Sequence, residues 1–311
     1  MLAGCGGPGS TDSFRVVVIA DTHITGPQYV CCTESNARDN ASIVRTEERL
    51  NRVVDEINAI RPAPDLVLVL GDVMHNPYYS LDHAYYDTTE TAWSIAPRIL
   101  GRLAMPYHLA WGNHDYDVRC DGADHVKREL THQLMREHFD TDPYHTVDHG
   151  GWRFVLANSQ LGKTWDELDP ACETAMGSFG AEQLAWIDAQ LADGLPTIVM
   201  SHHGQIALDS DEDGDSLKGV LSRHSNAVAH LAGHSHVWID FTDSSYSFQH
   251  IIVPSTRYDA DNYFLLELDA NGGMEFLDHA KTRKLSLCSD GWSYDGTPAP
   301  RSPQPDEDGD C

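Results

Sequence analysis

The chain contains the stretch Gly112-Asn113-His114-Asp115, which directly follows an apolar run at residues 105–111. The run has the length and composition of a β-strand, so the four polar residues are expected at a strand's carboxyl end. Open α/β sheets bind their ligands at that end. Together these side chains offer a neutral oxygen ligand, a proton carrier and a carboxylate. The same residue types are also common in plain turns, so the rest of the chain decides between the two interpretations.

Four further apolar runs lead into polar residues of the same kind. The run at residues 14–20 is followed by Asp21 and His23, which share one face of extended backbone because they lie two positions apart. The other clusters are Asp72 after residues 65–70, His202 after residues 197–200, and His234 with His236 after residues 228–232. The carboxyl ends of parallel strands meet at one edge of a sheet, so the sequence predicts one site built from five strand ends.

Helical segments between these strands predict an α/β fold. Apolar residues from Leu50 to Ile57 recur at i, i+3, i+4 and i+7, as in an amphipathic helix, and residues 88–103 and 179–191 are also expected to be helical. Antiparallel strands are expected at residues 238–253 and at residues 263–277, the latter turning at Asn271-Gly272.

Three polar loops are expected beside the site, where they would set substrate access: residues 26–41, 77–90 and 117–143. The histidines scattered through residues 115–149 show no ligand spacing and are interpreted as surface residues. They are His125, His132, His138 and His145.

Length and charge limit the architecture and the partners. The chain of 311 residues slightly exceeds what one typical core supports, which predicts one large domain with a small appendage. We expect a tether at residues 1–13, a globular domain at residues 14–285 and an acidic, Pro- and Asp-rich tail at residues 286–311. The net charge of −27 repels nucleic-acid phosphates and anionic membranes, which argues against a long nucleic acid as partner but not against a small phosphoester.

The seven cysteines show no CxxC spacing, which argues against a thiolate zinc site or a thioredoxin-type motif. They favour an oxidising compartment, where the six cysteines other than Cys5 could form three disulfides. Cys288 with Cys311 would close the tail, and the other four would pin loops. These four are Cys31, Cys32, Cys120 and Cys172. A cytosolic protein with free thiols is the alternative.

The N-terminal stretch Leu2-Ala3-Gly4-Cys5 resembles a bacterial lipobox. It predicts a lipid on Cys5 and an exported bacterial lipoprotein, in the periplasm or at the outer membrane or cell surface. Membrane contact is expected only through that lipid. No charged region and no apolar signal region precede Leu2, so a chance match is the alternative.

The polar clusters supply two carboxylates, one amide oxygen and four imidazoles besides that of His114. This set suits borderline divalent ions such as manganese, zinc or iron better than magnesium or calcium. The candidate metal ligands are Asp21, His23, Asp72, Asn113, His202, His234 and His236.

A separate acidic segment has the spacing of the first half of an EF-hand-type calcium loop. Its oxygen ligands would be Asp209, Asp211 and Asp213. Val220 stands where the bidentate glutamate belongs. An incomplete calcium site and a solvated acidic loop are therefore both open interpretations.

Taken in order, the motifs D-x-H, G-D, G-N-H-[DE], H and G-H-x-H resemble those of the calcineurin-like metallophosphoesterase superfamily, over about residues 14–279. The resemblance implies a four-layer α/β/β/α sandwich with two mixed β-sheets and a metal site at the strand carboxyl ends. It also implies two metal ions. Asp21, His23 and His236 would hold the first, Asn113, His202 and His234 the second, and Asp72 would bridge them. His202 is chosen over His203 because residues 199–202 match the family's V-x-x-H pattern.

His114 directly follows a ligand and is the candidate catalytic residue, which would stabilise the transition state and protonate the leaving oxygen, with Asp115 supporting it. The resemblance implies hydrolysis of small phosphomonoesters or phosphodiesters by attack of a metal-bridging hydroxide. His75 stands where purple acid phosphatases carry a tyrosine ligand, and the nearest likeness is to bacterial cyclic-nucleotide phosphodiesterase-like members. A non-catalytic metal-binding or surface-interaction protein that retains the fold is the alternative. The sequence indicates no oligomeric state.

Overall fold

The computed structural model describes residues 13–34, 37–117, 120, 124–166, 172, 176–210, 214–241 and 246–278. The strands are β1 (Phe14–Ile19), β2 (Leu66–Leu70), β3 (Tyr107–Ala110), β4 (His145–His149), β5 (Trp152–Leu156), β6 (Thr197–Met200), β7 (Ala227–Ala232), β8 (Ile239–Asp240), β9 (Gln249–Ile252), β10 (Tyr263–Leu268) and β11 (Met274–Phe276). The helices are α1 (Ala37–Ile43), α2 (Thr46–Ala59), α3 (Ala84–Thr88), α4 (Ala92–Leu100), α5 (Asn113–Tyr116), α6 (Asp124–Phe139), α7 (Ala181–Leu191), α8 (Gln205–Asp209) and α9 (Leu217–Ser222).

The described strands form two mixed sheets. The first has the order β11-β10-β1-β2-β3, in which β1, β2 and β3 are parallel and the remaining pairs are antiparallel. The second has the order β4-β5-β6-β7-β9-β8, in which β5, β6, β7 and β9 are parallel and the two outer strands are antiparallel to their neighbours. The central parallel strands of each sheet therefore end at one edge.

Three layers of apolar packing join the sheets and helices. Successive residues of β1 point to opposite faces, so Val17 and Ile19 pack against α2 and α4 while Val16 and Val18 face the second sheet. On the far side of the second sheet, Val199 packs against α7 and α9. All five residues of β2 are buried, as a parallel strand covered on both faces requires. The order helix, sheet, sheet, helix confirms the predicted α/β/β/α sandwich.

The segment after α5 differs from the polar loop predicted at residues 117–143, because it contains α6. Leu130, Leu134 and Met135 bury one face of α6, which contacts α4 and α5. These residues have helical spacing, but polar and charged residues make up most of α6, so the apolar signal is weak in the sequence. Three histidines interpreted as surface residues are instead partly buried, namely His132, His138 and His145. His125 also lies within α6.

The predicted loop at residues 77–90 also contains a helix, α3, and the other predicted elements agree with the structure except at their boundaries. The predicted loop at residues 26–41 ends in α1, and the predicted helix at residues 88–103 is α4, which begins after the cap residue Thr91 and passes through Pro97. β8 pairs with β9, and β10 with β11, in the expected antiparallel sense. The second pair turns at Asn271-Gly272, where the glycine has a φ of 88°.

Two disulfides lie in the described part of the chain. Cys31 is bonded to Cys32, and Cys120 to Cys172 with their Cα atoms 5.9 Å apart. The expected pair of Cys288 and Cys311 lies outside the described residues, as do Cys5, residues 1–12 of the predicted tether and the predicted tail. Within the described ranges, no helix is long and apolar enough to cross a membrane.

The acidic segment considered as a calcium loop is described only in part. Asp209 is paired with the ammonium group of Lys218 at 3.2 Å. Asp211 and Asp213 lie outside the described residues.

Candidate metal centre

The seven predicted ligands lie just beyond strand ends and converge from both sheets. The first sheet supplies Asp21, His23, Asp72 and Asn113, and the second supplies His202, His234 and His236. Five of them have a left-handed backbone, with φ of 54° at Asp21, 49° at His23, 47° at Asp72, 65° at His234 and 58° at His236. Among residues with a Cβ, Asp, Asn and His adopt this conformation most readily. The chain can therefore reverse directly after a strand and turn these side chains towards one point.

One group of potential ligand atoms comes from Asp21, His23, Asp72 and His236, all within 4.8 Å of one another. His236 Nε2 lies 3.2 Å from Asp21 Oδ1 and 3.3 Å from His23 Nε2. His23 Nε2 in turn lies 3.5 Å from Asp72 Oδ2. These are the residues that the sequence assigned to the first metal, together with the bridging aspartate.

A second group comes from Asp72, His202 and His234, and the amide oxygen of Asn113 joins it. His202 Nε2 lies 3.2 Å from Asp72 Oδ2 and 3.0 Å from Asn113 Oδ1. His234 Nδ1 is also 3.0 Å from Asn113 Oδ1. Asp72 thus belongs to both groups through the same carboxylate. His203 points elsewhere, with its Nδ1 2.8 Å from the hydroxyl of Ser159.

Two of the motif glycines let ligands approach the backbone closely. A Cβ at Gly112 would collide with the carboxylate and the backbone nitrogen of Asp72. A Cβ at Gly233 would lie 2.6 Å from Asp21 Oδ2, where no real Cβ contact occurs. The absence of a side chain at these positions therefore allows the strand ends of the two sheets to meet around the carboxylates.

Burial and charge set the protonation of the cluster. Desolvation holds the pKa of His23 well below its ordinary value and lowers the pKa of His234 to about 3, so both rings are neutral and keep a lone pair for an ion. Burial alone would lower the pKa of His202, but the charge of Asp72 outweighs it and raises that pKa to about 9. Burial would likewise raise the pKa of Asp72, yet the charges of His202 and His114 hold it well below its ordinary value.

The donor set fits divalent ions. Oxygen and imidazole nitrogen atoms are the usual ligands of manganese, zinc and iron. Such atoms lie close enough together to bind one ion, as His23 Nε2 and His236 Nε2 do with 3.3 Å between them. An ionised, buried Asp72 at the centre requires positive charge beside it.

His114 lies at the start of α5 beside both groups. Its backbone N–H donates to Asp72 Oδ1 at 2.8 Å, and its Nδ1 lies 2.8 Å from the amide oxygen of Asn76. Burial lowers the pKa of the imidazole to about 4. Asn76 has a left-handed φ of 46°, which turns its side chain towards the ring. Asn76 thereby orients His114 and leaves its Nε2 for another partner.

Asp115 does not support His114 as expected from the sequence. Its two carboxylate oxygens accept the backbone N–H groups of Met74 and Gly112, each at 2.8 Å. Burial and the charge of Asp72 raise its pKa to about 8, although these two N–H donors partly oppose the shift. Asp115 therefore ties the loop after β2 to the loop after β3.

The sequence assigned no role in the centre to four residues that lie close to it, namely Asn76, His75, Glu34 and Arg257. His75 contacts both His23 and Glu34, and Arg257 pairs with Glu34 at 2.9 Å. The positions of His75 and Asn76, three and four residues after Asp72, are the signals that spacing could have provided. Glu34 and Arg257 lie too far from the motifs along the chain for spacing to link them.

Comparison with known proteins identifies the family and agrees with the fold. The family model of the calcineurin-like phosphoesterases matches residues 14–238. A glycerophosphodiester phosphodiesterase (GpdQ) of Enterobacter lignolyticus is 28% identical over 196 residues, which cover 59% of this chain and 60% of that protein. A 3′,5′-cyclic-nucleotide phosphodiesterase of Nostoc is 23% identical over 224 residues, 69% of this chain and 71% of that protein. A dimetal phosphatase from Danio rerio superposes with a TM-score of 0.56 at 18% identity, covering 81% of this chain and 92% of that one.

The chain belongs to the calcineurin-like phosphoesterase family. This is a family of phosphoester hydrolases that use divalent metals. The aligned part spans 60% of the length of the Enterobacter relative.

Proposed function

We propose that this protein is a dinuclear metal-dependent phosphoesterase that hydrolyses small phosphodiesters or phosphomonoesters. The observation that carries the proposal is the carboxylate of Asp72, whose Oδ2 lies 3.5 Å from His23 Nε2 and 3.2 Å from His202 Nε2. One buried carboxylate shared by two groups of donors is the arrangement that a pair of ions requires.

The two groups define which residues would hold each ion. Asp21, His23 and His236 would hold the first, Asn113, His202 and His234 the second, with Asp72 common to both. When bound, divalent ions supply Lewis acidity, which activates water as a nucleophile and offsets the negative charge on the phosphate. Asn113 contributes an oxygen without adding charge, so the centre keeps the positive balance that an anionic substrate needs.

His114 would act on the leaving group. Asn76 holds its Nδ1, so its Nε2 is the nitrogen available to donate a hydrogen bond or a proton to the leaving oxygen. The ring is neutral in its buried setting, and a phosphate anion beside it favours the protonated form. His114 is thus placed to take up a proton as substrate binds and to deliver it as the ester bond breaks.

The net charge of −27 favours small substrates over long polymers. A nucleic acid would bring many phosphates against this negative surface, whereas a small ester brings one or two to a locally cationic centre. The names of the Enterobacter and Nostoc relatives, a glycerophosphodiester and a cyclic-nucleotide phosphodiesterase, support phosphodiesters as the first substrates to test.

We also propose that the protein is exported and tethered by a lipid on Cys5. The bonded pair Cys120 and Cys172 supports an oxidising compartment. Expression in a bacterial host with a lipoprotein signal segment placed before Leu2, followed by membrane fractionation and intact-mass measurement, tests whether Cys5 is lipidated. Recovery of the full chain with an unmodified Cys5 in the soluble fraction would refute the tether.

The test of the activity is the initial rate on a chromogenic phosphodiester and on its matching monoester, after reconstitution with manganese, zinc or iron. We expect hydrolysis with the diester preferred. Asp72→Asn should reduce the rate at least about 100-fold because it removes the shared charge. The control Asp261→Asn, at an exposed ion pair with Arg52, should keep the wild-type rate. Metal-loaded protein that hydrolyses neither ester would favour a non-catalytic metal-binding or surface-interaction protein instead.

A further inference from the structure

His75 contacts two residues of the candidate centre, the predicted ligand His23 and the predicted catalytic residue His114. Its side chain is buried, with 2% of the residue exposed. Its Nδ1 lies 3.1 Å from Nδ1 of His23, and its Nε2 lies 3.1 Å from Oε1 of Glu34. Its ring is stacked on that of His114, with centroids 4.6 Å apart and an interplanar angle of 20°.

If His23 binds an ion, the hydrogen bonds from His23 to His75 and from His75 to Glu34 have only one possible direction. The Nε2 atom of His23 faces Asp72 and His236, so it is the nitrogen that would bind an ion. A neutral imidazole that binds an ion through Nε2 carries its proton on Nδ1, which therefore donates to Nδ1 of His75. His75 then carries its own proton on Nε2 and donates it to the carboxylate of Glu34.

Glu34 is held in place to accept this hydrogen bond. Its Oε2 pairs with the buried guanidinium of Arg257 at 2.9 Å, and Asn40 bonds to both its backbone N–H and its carbonyl. The hydrogen bond from His75, together with Arg257, keeps the pKa of Glu34 well below its ordinary value despite burial. The end of the chain is therefore a fixed, ionised carboxylate.

Arg257 closes a ring of contacts around the first metal group. Its backbone N–H donates to the carbonyl of Asp21 at 3.1 Å, and its side chain reaches Glu34. The ring runs from Asp21 through Arg257, Glu34 and His75 back to His23. The loop that carries Glu34 is thereby tied to two of the residues that would hold the first ion.

We propose that His75, oriented by Glu34, is a positioning residue that fixes the tautomer and the ring orientation of His23 and so sets the affinity of the first metal site. The inference rests on the proposed dinuclear function. Partners of this kind, which hold a ligand histidine by its second nitrogen, raise metal affinity by about 10- to 100-fold in other proteins. Because His75 also stacks on His114, its loss should affect turnover as well as binding.

A matched pair of variants separates two roles of His75, which are to accept the hydrogen bond from His23 and to stack on His114. His75→Phe keeps a ring to stack on His114 but cannot accept a proton from His23. His75→Asn loses the ring, but its amide oxygen can occupy the place of Nδ1 and accept that proton. His138→Phe makes the same exchange in α6, where the histidine packs on Trp93, and serves as the control.

Calorimetric titration of the metal-free proteins with manganese gives the number of ions and their affinities. We expect two ions in the wild type and in His138→Phe. His75→Phe should weaken one of the two sites about 10- to 100-fold, and His75→Asn should restore it to within about threefold of the wild type. Glu34→Gln, which keeps an acceptor but removes the charge, should weaken the same site by a smaller factor. Thermal unfolding in chelator establishes whether each variant is folded. If His75→Phe is not folded, the manganese affinity of Glu34→Gln tests the inference instead.

Three results would overturn the inference. Unchanged manganese affinity in His75→Phe, with two ions bound by the wild type, would show that the contact with His23 has no role in binding. An equal loss in His75→Asn and His75→Phe would show that the imidazole itself, not its acceptor, is needed. Full affinity in Glu34→Gln would show that the carboxylate does not orient His75, and would overturn the inference on its own if His75→Phe does not fold. A wild type that binds no ion would instead refute the dinuclear centre.

Discussion

At the scale of single residues, Gly112 shows how a missing side chain can determine a metal site. The backbone after β3 passes so close to Asp72 that a Cβ would collide with the carboxylate. We expect Gly112→Ala to displace Asp72 and to lower hydrolysis at least about 100-fold, since Asp72 is shared by both groups of ligands. Manganese titration together with initial rates measures the effect.

Gly194→Ala is the control for this substitution. Gly194 lies in the turn before β6, where an added methyl group meets no atom within 4 Å. Its φ of 81° makes the change unfavourable for stability but leaves the metal centre untouched. An active Gly112→Ala enzyme with full metal occupancy would contradict the steric argument.

Asn76 provides a second prediction at this scale. Asn76→Gly removes the amide that orients His114 while tolerating the left-handed φ of 46°. We expect kcat to fall about 10- to 100-fold because the imidazole is no longer held towards the leaving group. KM and the number of bound manganese ions should change little. A fall in metal occupancy that accounts for the whole loss would show that Asn76 acts on the centre rather than on His114.

At the scale of elements, β7 and β9 carry a buried pair of histidines side by side. His230 and His250 are register partners, and their Nδ1 atoms lie 3.0 Å apart. Such a contact needs one donor and one acceptor, so the two rings cannot both be protonated. Burial holds the pKa of His230 well below its ordinary value and lowers that of His250 to about 4.

These shifts predict a loss of stability in mild acid. Below a pH of about 6.5 the unfolded chain takes up a proton that folded His250 refuses down to about pH 4, so the free energy of unfolding falls as the pH falls through this window. The loss at pH 5 amounts to about 2 kcal/mol for this one residue. His250→Asn, whose amide nitrogen can take the place of the donating Nδ1 but does not titrate, should remove that part of the loss.

Urea unfolding in chelator at pH 7 and pH 5 measures the effect. The difference between the two pH values should be smaller in His250→Asn than in the wild type by about 2 kcal/mol. An unchanged difference would show that His250 takes up its proton in the folded state.

Which elements could be predicted depended on how local their signals were. The central strand β2 was predictable because all five of its residues are apolar, and it ends at Gly71-Asp72. The convergence of the seven candidate ligands was predictable because each closely follows such a strand. α6 was not predicted, because polar and charged residues outnumber its apolar residues, although these have helical spacing. The contact between Glu34 and His75 was not predictable, because 41 residues separate them and only the folded chain brings them together.

At the scale of the whole molecule, ion binding should stabilise the folded state. An ion that binds only the folded chain adds about 2.7 kcal/mol at a concentration 100 times its Kd. We expect manganese to raise the unfolding temperature of the wild type by several degrees relative to chelator, and to raise that of Asp72→Asn much less. Differential scanning fluorimetry over a manganese series measures the shift.

The same experiment with magnesium serves as the comparison. The imidazole-rich donor set predicts a smaller shift with this ion at equal concentration. Equal shifts for manganese and magnesium, persisting in Asp72→Asn, would indicate unspecific screening of the net charge of −27 rather than binding at the centre.

The candidate ligands of the centre come from two sheets, and the strands that carry them follow one another along the chain. A nascent molecule that has formed only β1, β2 and β3 holds Asp21, His23, Asp72 and Asn113, but lacks the three histidines that follow β6 and β7. Under the proposed function, neither ion has its full set of ligands until the sheets have docked. Uptake of both ions at full affinity therefore comes after docking, and a partly folded molecule competes poorly for scarce metal.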